Sequence, residues 1–345
     1  MIGFVMALFH ILGLASSLHS LMSTRTSQGT IAWVVSLNTF PYLAVPAYWI
    51  LGRSRFNGYV KAHKASDSRV ENHKQLFEKE LASYHIIPSE VQPAGRAAEK
   101  LANMPYLKGN DVDLLIDGEA TFASILDGIN QAQEYILFQF FIIHDDEIGR
   151  RMKAHLIAKA KEGVRIYFLY DEIGCHDLPA AYTDELRDAG IETYDFHTSK
   201  GVGNRFQINF RNHCKVVVAD GKTAWIGGHN VGDDYLGKNP KFGHWRDTHI
   251  RIEGPVVLEV QASFVEDWFW AAGQTPALCW EATPSTKGDK HVLIVPTGPA
   301  DDLETATLMF LHAINSAKTR IWIASPYFVP DESIVNALQL AGLRG

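Results

Sequence analysis

Residues 212–230 read NHCKVVVADGKTAWIGGHN, and this stretch does most to decide the fold and the chemistry of the chain. Its run of valines and other apolar residues is typical of β-strands. His213 and Lys215 are two positions apart in this run, so both side chains should leave the same face of one strand. We therefore expect an imidazole and an ammonium side by side.

An imidazole beside an ammonium suits attack on a phosphodiester. The imidazole of His213 can attack phosphorus and later leave, while Lys215 neutralises the non-bridging oxygens. Gly227 and Gly228 would let the backbone approach a ligand closely, and Asn230 can donate a hydrogen bond to a phosphate. The stretch thus predicts a site for phosphoryl chemistry.

On the N-terminal side of this stretch, strand patterns alternate with helix patterns. DVDLLID (111–117) alternates polar and apolar residues, and YILFQFFII (135–143) is a continuous apolar run that fits a strand buried on both faces. Helical spacing follows each of them, at 121–133 between the two and around 148–161 after the second. VRIYFLYDE (164–172) is the next strand. Such alternation predicts an α/β sandwich around a mostly central sheet.

The pattern then recurs further along the chain. TFASILDGINQAQEYILFQFFIIHDDE (121–147) matches ATLMFLHAINSAKTRIWIASPYFVPDE (306–332) in element order and in several identities. Repeats at long period indicate duplicated units. Gly163 aligns with Gly345, so we expect a second unit that stops after its first strand and helix, with poorly covered apolar surface at 321–328.

The spacing in residues 212–230 resembles the signature of the phospholipase D superfamily, His-x-Lys-x4-Asp-x6-Gly-Gly-x-Asn. All six positions match: His213, Lys215, Asp220, Gly227, Gly228 and Asn230. FRNHCKVVVADGK, GGHNVGDDYLG, HWRDTHIRIEGP and SPYFVPDE are similar to segments of the bacterial cardiolipin synthases, as is an N-terminal hairpin with TRTSQGTIAW between its helices. The resemblance covers essentially all 345 residues. Cys214 stands where that family commonly has a basic residue, and we expect it to point away from the site.

The resemblance implies a phospholipase D-like mixed sheet sandwiched by helices, and a mechanism through a phosphohistidine. His213 maps onto the nucleophile. Lys215 and the motif aspartate Asp220 complete the implied catalytic set, although the aspartate has the more structural role. A second motif's histidine would act as acid and base, and no metal or other cofactor is implied.

The remaining motif positions map onto phosphate binding. Asn230, Gly227 and Gly228 are the implied contacts to the phosphate. Asp247, in WRDTHIRIEGP, lies where the superfamily places an acid that bonds the nucleophile's other ring nitrogen, which would fix the tautomer and orient the ring. The implied reaction transfers a phosphatidyl group between two phosphatidylglycerol molecules and releases glycerol.

The N-terminal 52 residues read as membrane segments. Residues 1–24 and 26–52 contain no charged side chain, and each stretch is long enough to cross a bilayer core, which takes ~20 helical residues. Arg53, Arg55, Lys61 and Lys64 follow before the first acidic residue. Because basic residues favour the cytoplasmic side, we expect a two-helix transmembrane hairpin in a bacterial inner membrane with the catalytic part in the cytoplasm.

Composition restricts the partners. The formal net charge is −7, and this argues mildly against nucleic acid as a ligand. The three cysteines, Cys175, Cys214 and Cys279, are far apart and lack metal-ligand spacing, so we expect no disulfide framework and a reducing compartment. The His-Asp-Asp cluster at 144–146 ends a buried strand without a second ligand set and is expected in a loop.

The sequence therefore predicts four segments: transmembrane helices at 1–52, a charged helical linker at 53–108, a first phospholipase D-like unit at 109–289 and an incomplete second unit at 290–345. A second His-x-Lys-x4-Asp motif is expected roughly fifty residues beyond Gly345, by the logic of the repeat. Three alternatives stay open: a phospholipase D or phosphatidylserine synthase-type transferase, a nuclease that dimerises to pair single motifs, and an inactive membrane-anchored fragment. The oligomeric state stays undetermined.

Overall fold

The computed structural model describes residues 2–23, 27–52, 77, 79–86, 93–196, 211–298, 301, 303–325 and 327–345. Most of the predicted linker at 53–108 and its basic cluster therefore lie outside the described residues. Its described part includes helix α4, Pro93–Ala102.

Three helices form the N-terminal segment: α1 Ile2–Ser23, α2 Ser27–Thr39 and α3 Pro41–Leu51. Among the described residues one helix, Gly3–Ser23, is long and apolar enough to cross a membrane. The second predicted span is wrong as a single helix, because it is interrupted at Phe40, with φ −133° and ψ 56°. Pro41 causes the break, since proline disfavours helical geometry in the residue before it.

A polar seam joins these helices. The Asn38 amide donates to the Ser17 hydroxyl at 2.8 Å. His19 Nδ1 lies 2.6 Å from the Tyr48 hydroxyl. In an apolar environment such pairs are the main directional contacts between helices.

The rest of the described chain is built on one eight-stranded sheet with the order β4-β3-β2-β5-β6-β7-β1-β8. The strands are β1 Leu107–Ile116, β2 Tyr135–Phe140, β3 Arg165–Asp171, β4 Glu192–Phe196, β5 Val216–Ala219, β6 Thr223–Gly227, β7 Thr248–Glu253 and β8 Lys290–Val292. The neighbours β2, β3 and β4 run parallel, and every other pairing is antiparallel. The predicted α/β fold with a mixed sheet is confirmed.

Helices cover both faces of the sheet. They are α5 Asp117–Gln131, α6 Glu147–Lys161, α7 Ala180–Asp188 and α8 Val257–Ala272. All six residues of β2 are buried, as the continuous apolar run predicted. Along that strand Phe138 packs into the core beneath α5 and α6, and Leu137 packs into the core beneath α8. Alternate side chains of one strand thus fill two separate cores.

Two helices lie at the positions that the predicted repeat gives, and the second unit itself stays a prediction. Helix α9, Thr305–Ser316, corresponds to α5, and helix α10, Glu332–Arg344, corresponds to α6. Asp146 caps α6 by accepting from the Gly149 amide, and Asp331 caps α10 by accepting from the Ile334 amide, each at 3.0 Å. Residues 321–325 form no strand in the second copy, and Trp322 is 85% exposed. The poor cover expected for this segment is confirmed.

Candidate active site

The site forms where the chain enters the central strand β5. His213 and Lys215 precede that strand directly, and their side chains meet: the Lys215 ammonium lies 3.1 Å from His213 Nδ1. The same ammonium donates to the His213 carbonyl at 2.7 Å. Lys215 is buried, whereas His213 is exposed. The structure therefore brings together the two residues that the sequence predicted to share one face.

Phe141 lies against both members of the pair. Its ring centroid is 4.5 Å from that of His213, with 41° between the planes. The Lys215 ammonium is 5.4 Å from the same centroid, within the range of a cation–π contact. Phe141 follows β2, the strand beside β5, so sheet pairing brings it under the site.

The surroundings lower the pKa values of both His213 and Lys215. Burial, and then the charges of Lys215 and Arg211, hold the pKa of His213 below its ordinary value. Burial lowers the pKa of Lys215 to about 8, against the opposing charges of Cys214, Asp247 and Asp171. At neutral pH the imidazole is thus mostly neutral while the ammonium stays mostly charged, which is the combination that a nucleophile and its phosphate-binding partner need.

A buried network holds the segment that carries His213. Asp171, at the end of β3, accepts from the backbone amide of Asn212 at 2.8 Å. The Asn212 side-chain amide donates to Asp267 of α8 at 2.6 Å, and Gln139 of β2 donates to the same carboxylate oxygen at 2.8 Å. Residues of β2, β3 and α8 thereby hold Asn212, the residue before His213, in place.

Sequence reasoning missed this network. It gave no role in the site to Asp267 or to Asp171. The available signal was a carboxylate at the end of a buried strand, where side chains project from the edge of the sheet toward ligands.

Gly227 and Gly228 lie where side chains of the adjacent strand segment approach closely. A Cβ on Gly228 would lie 2.1 Å from Asp247 Oδ1, and a Cβ on Gly227 would lie 2.6 Å from His249 Cγ. The Gly228 amide already donates to the Thr248 carbonyl at 3.0 Å. Both glycines thus leave space for side chains of the neighbouring strand segment, and their predicted contact with phosphate stays a prediction.

Among the hydrogen bonds of the described residues none joins Asp247 to His213, so its predicted orienting role stays a prediction. Its carboxylate accepts from the Thr248 amide at 2.7 Å and from the Trp245 indole at 3.3 Å. His213 Nδ1 contacts Lys215 instead. Because two local donors and Gly228 fix the carboxylate beside β7, its contribution to the site is a negative charge near Lys215.

Asn230 is buried and its side chain is engaged by the protein. Its carbonyl oxygen accepts from the Ile142 amide at 3.0 Å, and its amide donates to the Tyr235 hydroxyl at 2.7 Å. These contacts connect the chain just after β2 to the turn after β6, and the phosphate contact predicted for Asn230 stays a prediction. The two segments lie side by side because the residues next to these contacts, Val231 and Ile143, form a β-bridge.

Asp220 lies at the far end of β5 from Lys215, roughly 16 Å away at about 3.3 Å per residue. Its carboxylate accepts from the backbone amides of Gln133, Glu134 and Tyr135 at 2.8–2.9 Å. These contacts give Asp220 a structural role, and its place in the catalytic set stays a prediction. Asp220 fastens the turn after β5 to the start of β2, which agrees with the structural role that the resemblance gave to this position.

Two buried histidines near the site were also missed. His229 and His249 are at most 1% exposed, with ring centroids 5.8 Å apart. Within the described part of the chain, both nitrogens of His249 and Nε2 of His229 lack a hydrogen-bond partner. Burial, and then the charges of His229 and Lys215, lower the pKa of His249 to about 3, so it stays neutral. Histidines in GGHN and DTHIR gave no periodic signal that distinguishes them from core residues.

The His-Asp-Asp cluster at 144–146 and the cysteines make the following contacts. Asp146 caps α6 and also accepts from the Asp233 amide, and no group of three metal-ligating side chains occurs among the described residues. Cys214 is exposed, and its amide donates to Asn212 Oδ1 at 3.1 Å. All three cysteines are free thiols.

Comparison with known proteins agrees with this geometry. Residues 125–268 match the family model "Cardiolipin synthase, PLD-like domain", and residues 2–53 match "Phospholipase_D-nuclease N-terminal". Cardiolipin synthase A of Pseudomonas fluorescens strain Pf-5 is 48% identical over 99% of this chain and 72% of its own length. The chain belongs to the cardiolipin synthase family. Cardiolipin synthase A of Pseudomonas putida strain W619 is 47% identical, again over 99% of this chain and 72% of the relative.

Within the cardiolipin synthase family model, the matched residues run from α5 to α8 and include His213, Lys215 and Phe141. Among solved structures, phosphatidylserine synthase of Haemophilus influenzae is 17% identical, covers 50% of this chain and 40% of its own, and has a TM-score of 0.38. That similarity is too low to bear on function. Membership of the cardiolipin synthase family makes the chain a phosphatidyltransferase of the phospholipase D superfamily.

Proposed function

We propose that His213 carries the phosphatidyl group in a transfer between two phosphatidylglycerol molecules, which yields cardiolipin and releases glycerol. The observation that supports the proposal is the His213–Lys215 pair: an imidazole held neutral lies 3.1 Å from a buried ammonium. The names and identities of the Pseudomonas relatives support the choice of reaction.

In this geometry the charged Lys215 can only donate, so His213 Nδ1 accepts and holds the ring's lone pair. A phosphodiester that binds Lys215 through a non-bridging oxygen would replace this contact and free the imidazole. The nitrogen then forms a bond to phosphorus, and the bond from phosphorus to the glycerol oxygen breaks. Glycerol leaves with a proton that an acid supplies.

In the second half of the reaction, a hydroxyl of another phosphatidylglycerol attacks the phosphohistidine. The bond between nitrogen and phosphorus breaks, a new phosphodiester forms, and the hydroxyl proton passes to a base. One phosphodiester has replaced another, so the exchange needs no nucleotide. The acid and base would be the histidine of a second motif, as the resemblance to the superfamily implies.

The proposed surroundings are a bacterial inner membrane, with phosphatidylglycerol drawn from the lipid phase. Helix α1 and the match of residues 2–53 to an N-terminal family model support membrane attachment. A multi-pass topology with the catalytic part in the cytoplasm rests on the basic cluster after residue 52. A reporter fused after that cluster that gave a periplasmic signal would contradict this orientation.

The nucleophile can be tested by trapping. The full-length protein should acquire label on His213 when it is quenched during turnover of phosphatidylglycerol labelled in its phosphatidyl moiety. His213→Ala should lose both the label and cardiolipin formation while its membrane association stays intact. Label on another residue, or transfer by His213→Ala, would refute the assignment.

A further inference from the structure

We propose that Phe141 is a positioning residue for the nucleophile: its ring fixes the orientation of the His213 imidazole and keeps water from one face of it. This inference rests on the proposed function, because it explains how His213 is prepared for attack. Phe141 would act through His213 and form no bond in the reaction.

The contact is direct and close. The ring centroids of Phe141 and His213 are 4.5 Å apart, which is the short limit of the range in which aromatic rings attract one another. Phe141 is only 9% exposed, so the face that it offers to His213 is a dry one. The histidine lies in an irregular segment before β5, where no ladder hydrogen bond orients its side chain. A rigid aromatic surface supplies that orientation.

Phe141 is itself held firmly. Its carbonyl accepts from the Cys175 thiol at 3.4 Å, and a Cβ on Gly174 would lie 2.0 Å from that carbonyl oxygen. The chain after β3 therefore packs against the Phe141 backbone. A ring fixed in this way can transmit its position to the imidazole that rests on it.

The same ring also faces the cation. The Lys215 ammonium, 5.4 Å from the ring centroid, has its two hydrogen bonds directed to His213. An ammonium near a ring face is attracted by the quadrupole of the ring. Phe141 thus sets the distance between the nucleophile and its phosphate-binding partner.

Charged groups approach His213 from several elements. Arg211 and Lys215, on its own segment, act on His213 directly. Asp171 and Asp267 bind the neighbouring Asn212, and Asp171 and Asp247 act on Lys215. The two cations lower the pKa of His213, but burial is the larger cause. Removal of the Phe141 ring admits water and leaves these charges in place. The pKa of His213 should therefore rise toward its ordinary value of 6.5 without reaching it.

The test compares two identical substitutions on adjacent residues. Phe141→Leu removes the ring under His213. Phe140→Leu removes a ring that lies in the core and packs on Phe138 at 4.7 Å. Each variant of the full-length protein is treated with diethyl pyrocarbonate at a series of pH values, and mass spectrometry follows modification of the peptide that contains His213. This readout reports the neutral imidazole and does not require activity.

In Phe141→Leu the midpoint of His213 modification should move to higher pH. Its kcat should fall on the order of 10-fold while KM changes little, because misplacement of a reacting group acts on the chemical step. Phe140→Leu should leave the midpoint unchanged. Phe141→Tyr keeps the ring and should restore both the midpoint and kcat, even if Phe141→Leu folds poorly.

An unchanged midpoint in Phe141→Leu, or a midpoint displaced equally in Phe140→Leu and Phe141→Tyr, would overturn the role of Phe141. Failure of the proposed function would look different. In that case the Phe141 variants would still shift the midpoint, but His213→Ala would retain cardiolipin formation.

Discussion

At the scale of single residues, the site depends on opposite protonation states in two neighbouring side chains. His213 must be neutral to attack, and Lys215 must be charged to bind a phosphate oxygen. Burial lowers both pKa values, so it helps the first requirement and works against the second. Lys215 tolerates this burial because the carboxylates of Asp247 and Asp171 lie near enough to raise its pKa in return.

This arrangement predicts the pH dependence of kcat/KM, which reports the free enzyme. On the acid side, activity should fall as His213 becomes protonated, at a pH below its ordinary value of 6.5 because its pKa is lowered. On the alkaline side, activity should fall as pH rises through about 8, where Lys215 loses its charge. An assay of full-length protein in lipid and detergent micelles over this range checks both limbs.

A substitution of Asp247 tests the assignment of the alkaline limb to Lys215. Asp247→Asn removes a negative charge that raises the pKa of Lys215, so the alkaline limb should move to lower pH while the acid limb changes less. An alkaline limb that stays in place, or moves upward, would contradict the assignment of that limb to Lys215.

At the scale of elements, strand β5 has two ends with separate roles. Its N-terminal end carries the His213–Lys215 pair. Its C-terminal end carries Asp220, whose φ of 54° closes the turn and aims the carboxylate at three backbone amides before β2. One motif thus contains the two residues proposed for the chemistry and the aspartate that holds the far end of their strand in place.

We predict that Asp220→Ala lowers the free energy of unfolding by about 2 kcal/mol, since three amides lose a charged acceptor. Its phosphatidyl transfer per folded molecule should stay near that of the parent. Thermal unfolding, and activity measured well below the transition, separate the two effects.

Asp127→Ala is the matched control, because Asp127 is an exposed aspartate that accepts from the Gln131 side chain. It should change stability by less than Asp220→Ala does. A folded Asp220→Ala variant without activity would return Asp220 to the catalytic set.

At the scale of the whole molecule, the described residues hold one eight-stranded sheet, followed by two helices that we propose begin a repeated unit. Helices α9 and α10 and the cap at Asp331 repeat α5, α6 and Asp146, but residues 321–325 pair with no strand among the described residues. The unpaired segment leaves Trp322 and Val329 at least 85% exposed. Exposed apolar patches of this kind mark surfaces that contact another element or partner.

We predict that the 345-residue chain alone forms little cardiolipin and is poorly stable. A chain extended through a second His-x-Lys-x4-Asp motif should be active, because the second histidine supplies the acid and the base. General acid–base catalysis of this kind contributes about 10²–10⁴ in rate. Both proteins are purified and assayed with phosphatidylglycerol under the same conditions, and comparable cardiolipin formation by the two would refute the half-site proposal.

The sequence alone determined the features that depend on local spacing. The apolar run of β2 required burial on both faces. The spacing of His213 and Lys215 predicted neighbouring side chains, and these do meet, although in the irregular segment before β5 and not within a strand. The repeat and the Asp146 cap are also local patterns. In each case a property of neighbouring residues is enough, because strand alternation and helix capping act over a few positions.

Only the tertiary structure decided which polar side chains reach the site. Gly228 and Asp247 are far apart in sequence, yet the carboxylate occupies the space that a Cβ on the glycine would need. Phe141 and Asp171 come from two other strands and meet His213 and its neighbour Asn212 across the sheet. Strand order and register set these contacts, and both are fixed by packing over the whole sheet rather than by spacing within one segment.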